Sequence, residues 1–262
     1  MPRYNLVLRI EYLGGRYAGS QIQKNGITIQ ELLDKALGRL FAGEKPKTVF
    51  SGRTDSGVHA LAQTAAAMVA KTIPAEKVRT ALNALLPPDI RVSRAEYKPL
   101  DFHPRYSAQS REYLYNIYYA PAPLLYLQDW VWRLDSNKKL DLKAMRKAAK
   151  LLKGRQDFSA FCAAGSPALN KVRNVTVSEL KACKVPRWPG AQTAEGLLLT
   201  YRIKADGFLY HMVRNIVAAI VAVGLGKMTL RDLQKVLHSK DRRLLKAPTA
   251  PAQGLVLAEV SY

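Results

Sequence analysis

Ten consecutive residues, Ser51-Gly52-Arg53-Thr54-Asp55-Ser56-Gly57-Val58-His59-Ala60, combine a carboxylate, a guanidinium, an imidazole, three hydroxyls and two glycines. A carboxylate held in a tight loop beside a guanidinium is a preorganised group, suited to act as nucleophile or base. An apolar run precedes the stretch (Thr48-Val49-Phe50) and another follows it (Ala65-Ala66-Ala67-Met68-Val69), which predicts a loop between two strands. The glycines accept backbone angles that other residues resist. A connecting turn needs the aspartate and the glycines but not Arg53 and His59 as well; the alternative is an ordinary Asp/Gly turn whose arginine is simply solvated.

Other side chains with chemical potential lie along the chain. His103, in Asp101-Phe102-His103-Pro104-Arg105, has no second group at metal-ligand spacing, so it reads as a loop histidine bonded to backbone or a phosphate contact beside Arg105. Arg111 to Tyr119 is a tyrosine-rich strand with Tyr113, Tyr115 and Tyr119 on one face and Tyr118 on the other. Such rings are either half-buried strand aromatics or a surface on which unpaired bases stack. Arg214 sits near the start of an otherwise apolar helix and, drawn toward its buried side, needs a carboxylate or phosphate partner. Lys138 to Arg155 holds eight basic residues and one acid, and Lys143, Arg146, Lys147, Lys150 and Lys153 form an outward stripe suited to an RNA backbone. Lys240, Arg242, Arg243 and Lys246 form a smaller cluster of the same kind.

The elements that position these groups are readable from period and punctuation. Asn5 to Tyr12 predicts a strand ended by Gly14-Gly15. Thr28 and Glu31 have the spacing of a capping box for a helix running to Phe41. Pro74 opens a second helix that Pro87-Pro88 stops, and Ile90 to Tyr97 is a further strand. That order, β-α-β-β-α-β, is the split βαβ unit of ferredoxin-like folds. The second half repeats it at greater length. Strand 111–119 is followed by helix 141–153, strands 172–180 and 196–204 around a Pro186–Gly190 loop, helix 212–223, a Thr229-capped helix, and a closing strand 255–260. The fold class is therefore α+β: two ferredoxin-like (RRM-like) halves with mainly antiparallel sheets around a central basic cleft. Residues 1–105 would carry the aspartate loop, and residues 106–262 the tyrosine strand, basic helix and arginine helix.

Composition narrows the partner. The chain of 262 residues has 41 Lys and Arg against 20 Asp and Glu, a net charge of +21, which is far more than solubility requires. A polyanion explains it, and nucleic acid is the commonest. No segment pairs a basic face with a large aromatic one, which speaks against membrane binding. The longest apolar run, Ile216 to Leu225, is too short to span a bilayer. With no signal peptide at its start and two cysteines, Cys162 and Cys183, remote from each other, the chain is expected to be cytoplasmic with reduced thiols.

The ten-residue stretch also resembles the signature of the tRNA pseudouridine synthase A family. Further similar places follow in family order: Asp101-Phe102-His103 with Arg105 and Ser107, Arg111 with Tyr113 and Tyr115, Asp157-Phe158-Ser159 with Phe161, His211-Met212-Val213-Arg214-Asn215-Ile216, and Gly254-Leu255. The resemblance implies a homodimer without cofactor or metal that acts on the anticodon arm of tRNA and isomerises uridines at tRNA positions 38 to 40. It implies Asp55 as the catalytic carboxylate, Tyr113 as the ring facing the target base, Arg214 as the partner of Asp55, and Arg53 as an aid to flipping the nucleotide. The sequence departs from the family pattern at Ser20, where an aromatic residue is usual. A non-catalytic RNA-binding protein on the same scaffold is the alternative, but it leaves Asp55 idle where a carboxylate repels phosphate. A metal-dependent nuclease lacks the clustered carboxylates of a two-metal site.

Overall fold

A computed structural model describes residues 3–24, 26–166, 168–185 and 196–262; the Pro186–Gly190 loop lies outside the described residues. Strand β1 (Tyr4–Tyr12) is followed by helix α1 (Ile29–Leu40), whose buried residues Ile29, Leu33, Ala36 and Leu37 recur at helical spacing. Thr28 caps α1 by accepting the Glu31 N–H at 3.3 Å, while the Glu31 carboxylate turns to Lys35 at 2.6 Å, so only half of the foreseen capping box forms. Strands β2 (Val49–Phe50) and β3 (His59–Val69), helix α2 (Ala75–Leu85) and strand β4 (Ile90–Lys98) complete the β-α-β-β-α-β order.

The second half contains more than the predicted repeat. Strand β5 (Ser110–Ala120) is followed by a short strand β6 (Trp132–Asp135), helix α3 (Leu142–Leu151) and a second short strand β7 (Gly154–Asp157). Then come β8 (Val172–Lys184), β9 (Leu197–Ala205), α4 (Met212–Gly224), α5 (Leu230–Ser239) and β10 (Leu255–Ser261). At four residues each, β6 and β7 are too short for an alternating pattern to emerge from the sequence.

Two compact units result: Met1–Ser110 with Val256–Tyr262, and Arg111–Leu255. In the first, β1 lies between β3 and β4 and is antiparallel to both, β2 pairs with the far end of β3, and β10 pairs in parallel with its start. Leu6, Leu8 and Ile10 of β1 are fully buried, as are Leu33 and Leu37 of α1, and each contributes about 1.5–3 kcal/mol by leaving water. In the second unit β5, β9, β8 and β7 form an antiparallel succession, with β6 running parallel beside β5. Helix α4 is apolar all round because it is enclosed: every residue from Met212 to Gly224 is buried except Arg214. Thr229 and Asp232 close a complete capping box on α5.

On β5 and β9, Arg202 donates to both oxygens of Glu112 at 2.7 and 2.8 Å, and these bonds hold the Glu112 carboxyl below its usual 4.5. A lowered carboxylate contributes stability above its ordinary range and loses that contribution as pH falls through the folded value. Glu112→Gln should therefore lower the melting temperature at pH 7, and the difference from the parent should shrink as the pH falls below 4.5 and through the folded value. Melting curves across that range measure this; a difference of the same size throughout would mean that the pair contributes nothing through charge.

Candidate active site

The loop between β2 and β3 is anchored by buried polar groups. Ser51 and Gln63, 1% and 0% exposed, bond through Ser51 Oγ–H to Gln63 Oε1 at 2.5 Å, and Gln63 Nε2 donates to the Gly52 carbonyl at 3.0 Å. Thr54 turns inward. Its hydroxyl lies 2.8 Å from that of Tyr12, and its N–H donates to Ser20 Oγ at 2.8 Å. Its carbonyl accepts the Ser20 N–H at 3.1 Å. Ser56 Oγ donates to the Tyr17 carbonyl at 3.0 Å, and the Val58 N–H closes a turn on the Asp55 carbonyl at 3.2 Å. Both sequence neighbours of Asp55 are thus tied to the segment after β1. With Thr54 inside, Arg53 is exposed and Asp55 half-buried. Burial pushes the Tyr12 hydroxyl up to about 12, so it stays protonated and available for Thr54.

Two glycines make this geometry attainable. Gly57 takes φ +81°, a left-handed value that closes the turn after Asp55. Gly19 takes φ +103°, and a Cβ there would stand 2.8 Å from the Thr54 carbonyl oxygen and 3.3 Å from the Asp55 carbonyl carbon. His59 is also structural. It is buried, and its Nδ1 accepts the Gly14 N–H at 3.1 Å, which pins the end of the loop to the segment after β1.

Ser20 was the residue whose role the sequence could not foresee. Where the resemblance leads one to expect a ring, this chain has a fully buried hydroxyl that brackets Thr54. Nothing local marks it, since its partner is 34 positions away. Gln63 and Tyr12 were equally silent: Tyr12 reads only as the end of a strand, and Gln63 lies outside the predicted strand, 11 and 12 positions from its partners Gly52 and Ser51.

Tyr113 and Arg214 belong to the second unit, Arg53 and Asp55 to the first. Tyr113, 8% exposed, meets Phe208 edge-on at 5.1 Å. Of the two readings of the β5 tyrosines, that of strand aromatics held by the protein describes Tyr115, Tyr118 and Tyr119. Tyr115 is fully buried and donates to the Pro251 carbonyl at 2.7 Å, Tyr118 packs against Ala120, Val131 and Val185, and Tyr119 bonds the carbonyls of Ser136 and Lys138. A strand alternates its faces, and β5 has buried residues on both.

Arg214 is less buried than its helix position suggested. It is half-exposed, and its Nε donates to the Ala250 carbonyl at 2.7 Å. Asn215, fully buried beside it, donates to the Phe161 carbonyl and accepts from Thr249 and Arg242, so the start of α4 is tied to the 242–250 segment.

The basic residues divide. Lys143, Arg146, Lys147, Lys150 and Lys153 are all exposed, with Met145, Ala148, Ala149 and Leu152 buried on the other face. The smaller cluster, in contrast, is largely used inside the protein. Lys240 reaches Asp157 at 3.3 Å, Arg243 clasps Asp241, and Arg242 bonds Asn215 and the Leu245 carbonyl. His103 Nδ1 accepts the N–H groups of Arg105 and Tyr106 at 3.1 and 3.2 Å, a loop histidine bonded to backbone. Among the described residues no group of three or more His, Cys, Asp or Glu side chains could hold a metal ion, and no helix is long and apolar enough to cross a membrane.

A profile described as tRNA pseudouridine synthase matches residues 9–107 and 148–262, which include Arg53, Asp55 and Arg214. The chain belongs to the tRNA pseudouridine synthase A family. It is 40% identical to the tRNA pseudouridine synthase A of Citrifermentans bemidjiense over 98% of this chain and 97% of that one. It is also 40% identical to that of Syntrophomonas wolfei, over 100% and 98%, and 38% identical to that of Acetivibrio thermocellus, over 98% and 99%. These synthase relatives span the stretch around Tyr113 that the profile leaves unmatched. Membership supports pseudouridine synthase activity, an isomerisation.

Proposed function

We propose that the protein converts uridine to pseudouridine at positions 38 to 40 in the anticodon arm of tRNA, with Asp55 as the catalytic carboxylate. The observation that carries this is the Asp55 loop itself: both neighbours of the aspartate are bonded into the interior while its own carboxylate side is left half-exposed. Such anchoring holds a reactive group in one position and lowers the reorganisation needed during the reaction. The N-glycosidic bond breaks, the uracil turns, and C5 joins the sugar carbon. C5 loses a proton and N1 gains one, so the change is redox-neutral and moves atoms only within one nucleotide. That chemistry needs a carboxylate as nucleophile or base at the electron-poor carbon, on a nucleotide taken out of the stack. Arg53, exposed on the same loop, assists the flip, Tyr113 faces the target base, and Arg214 is the partner of Asp55. On this reading residues 1–105 supply the carboxylate and 106–262 the base-facing ring and basic helix, and the protein works as a cytoplasmic homodimer without cofactor.

The test is incubation of unmodified tRNA with the protein in EDTA, followed by mapping of pseudouridine. Modification at 38 to 40 is the expected result. No product on any tRNA would favour the non-catalytic RNA-binding reading.

The α3 stripe should act through phosphate. Replacing Lys147 and Lys150 together by glutamate is expected to weaken tRNA binding about tenfold or more and to reduce the slope of log K against log salt by about 2. A titration across salt concentrations measures both, and an unchanged slope would remove α3 from the RNA footprint.

A further inference from the structure

The segment from Pro99 to Ser107 is an ordered loop that presents one ring to solvent. Asn5 Nδ2 bonds the carbonyls of Pro99 and Phe102 at 3.0 and 2.8 Å. The Ser107 N–H donates to the His103 carbonyl at 2.9 Å, and Ser107 Oγ accepts the His103 N–H at 3.0 Å. His103 Nδ1 holds two further backbone N–H groups, as described above. The Tyr262 hydroxyl donates to the Pro104 carbonyl at 2.9 Å, and the Tyr262 ring lies 5.0 Å from that of Phe102. A loop bonded so thoroughly would be expected to fold its aromatic residues inward.

Tyr106 does the opposite. It is 76% exposed, although its ring already lies 4.4 Å from His103 at a tilt of 32° and has the Arg105 guanidinium 5.6 Å from its centroid. Arg105 is exposed as well. A single exposed ring is common on protein surfaces, but one held on a rigid loop beside an imidazole and a guanidinium offers a preformed face to a partner. The ring, the imidazole and the guanidinium together have flat faces and a positive charge, the features that hold an unpaired base and its phosphate. The chain's net charge of +21 favours a polyanion as the covering partner over another protein.

We infer that Tyr106, backed by His103 and Arg105, is a stacking platform for an unpaired nucleotide of the RNA substrate, separate from the groups assigned to the reaction. The inference rests on the proposed RNA substrate but not on the chemistry at Asp55. Stacking is read by shape, so Tyr106→Phe and Tyr106→Trp should bind as the parent does, and Tyr106→Ala should lose about tenfold in affinity. The loss should appear with unmodified tRNA and with a single-stranded oligonucleotide of about 12 nucleotides, within the span such surfaces cover, and not with a blunt duplex of the same sequence. The Tyr106→Trp protein should also show added emission quenching with the single strand alone. Melting curves check that the loop bonds, which run through His103, Ser107 and Asn5, survive in each variant.

Three outcomes overturn the platform: Tyr106→Ala binding the single strand as the parent does, an equal loss for duplex and single strand, or a changed oligomeric state with unchanged RNA affinity. Pseudouridine formation by the parent protein is measured alongside. An active parent with an indifferent Tyr106 would end this inference and leave the proposed reaction standing. An inactive parent with selective loss at Tyr106 would do the reverse.

Discussion

Asp55→Asn is expected to abolish pseudouridine formation while leaving tRNA affinity intact. Asparagine matches aspartate in shape, and the bonds that anchor the loop run through Ser51, Gly52, Thr54, Ser56 and Gln63, so the fold should persist. The substitution removes a negative charge and the nucleophilic or basic oxygen, and the 51–60 stretch contains no second carboxylate to replace it. Loss of a group that forms or breaks bonds lowers turnover by about 10³-fold or more. Binding depends on the basic surface and should be unchanged or slightly tighter, since a charge that repels phosphate has gone. Single-turnover product formation beside a tRNA titration measures both, with mass spectrometry to exclude deamidation back to aspartate. Substantial turnover by verified Asp55→Asn protein would refute the assignment.

The second large effect is expected at a residue with no functional group. Gly19→Ala places a Cβ 2.8 Å from the Thr54 carbonyl oxygen at a backbone φ of +103°, which alanine adopts only under strain. Strain of this kind costs about 1–3 kcal/mol, and relief requires either Gly19 or the Thr54–Ser56 backbone to move. A displacement of about 1 Å at a reacting group costs about 10²-fold in rate. Gly19→Ala should thus lower the melting temperature and reduce single-turnover rate about a hundredfold, with tRNA affinity largely retained. Gly15→Ala is the control, because a Cβ there meets nothing within 4 Å and its φ is not in the left-handed region. If the two variants were equally active, the Gly19 backbone would not be what holds the Asp55 loop in place.

These two residues show how unevenly the site could be read in advance. Asp55 declared itself because its companions, Arg53, Thr54 and the flanking glycines, lie within a few positions of it. Gly19 and Ser20 did not, because what they touch lies more than 30 positions along the chain. Ser20 looked like a lost ring, yet it is a buried acceptor for the Thr54 N–H. The tyrosines of β5 were legible as a strand, but whether they lie in the interior or form a stacking surface stayed open, since alternation separates two faces without saying what covers either. Arg214 was rightly marked as a cation in an apolar helix. That it is anchored on the Ala250 carbonyl depends on a loop 36 positions further on.

What the sequence determined by itself was local or global in character. The helices α1, α2, α3, α4 and α5 follow from apolar spacing and from Thr28, Pro74, Asp141 and Thr229 at or beside their starts, all interactions within a turn or two of chain. The polyanion partner follows from net charge, which no fold can alter. Tertiary structure decided how the exposed basic groups are used: the α3 stripe lines one helix face, whereas Lys240 and Arg243, also exposed, pair with Asp157 and Asp241, and half-buried Arg242 bonds Asn215 and the Leu245 carbonyl. It decided too that β10 runs parallel to the start of β3, pairing Val256 with His59 and Leu257 with Ala60. The Lys240–Asp157 pair, the Arg242–Asn215 bond and the β10–β3 ladder all join groups far apart in the chain, because a hydrogen bond or ion pair is set by distance in space, to which sequence separation is no guide.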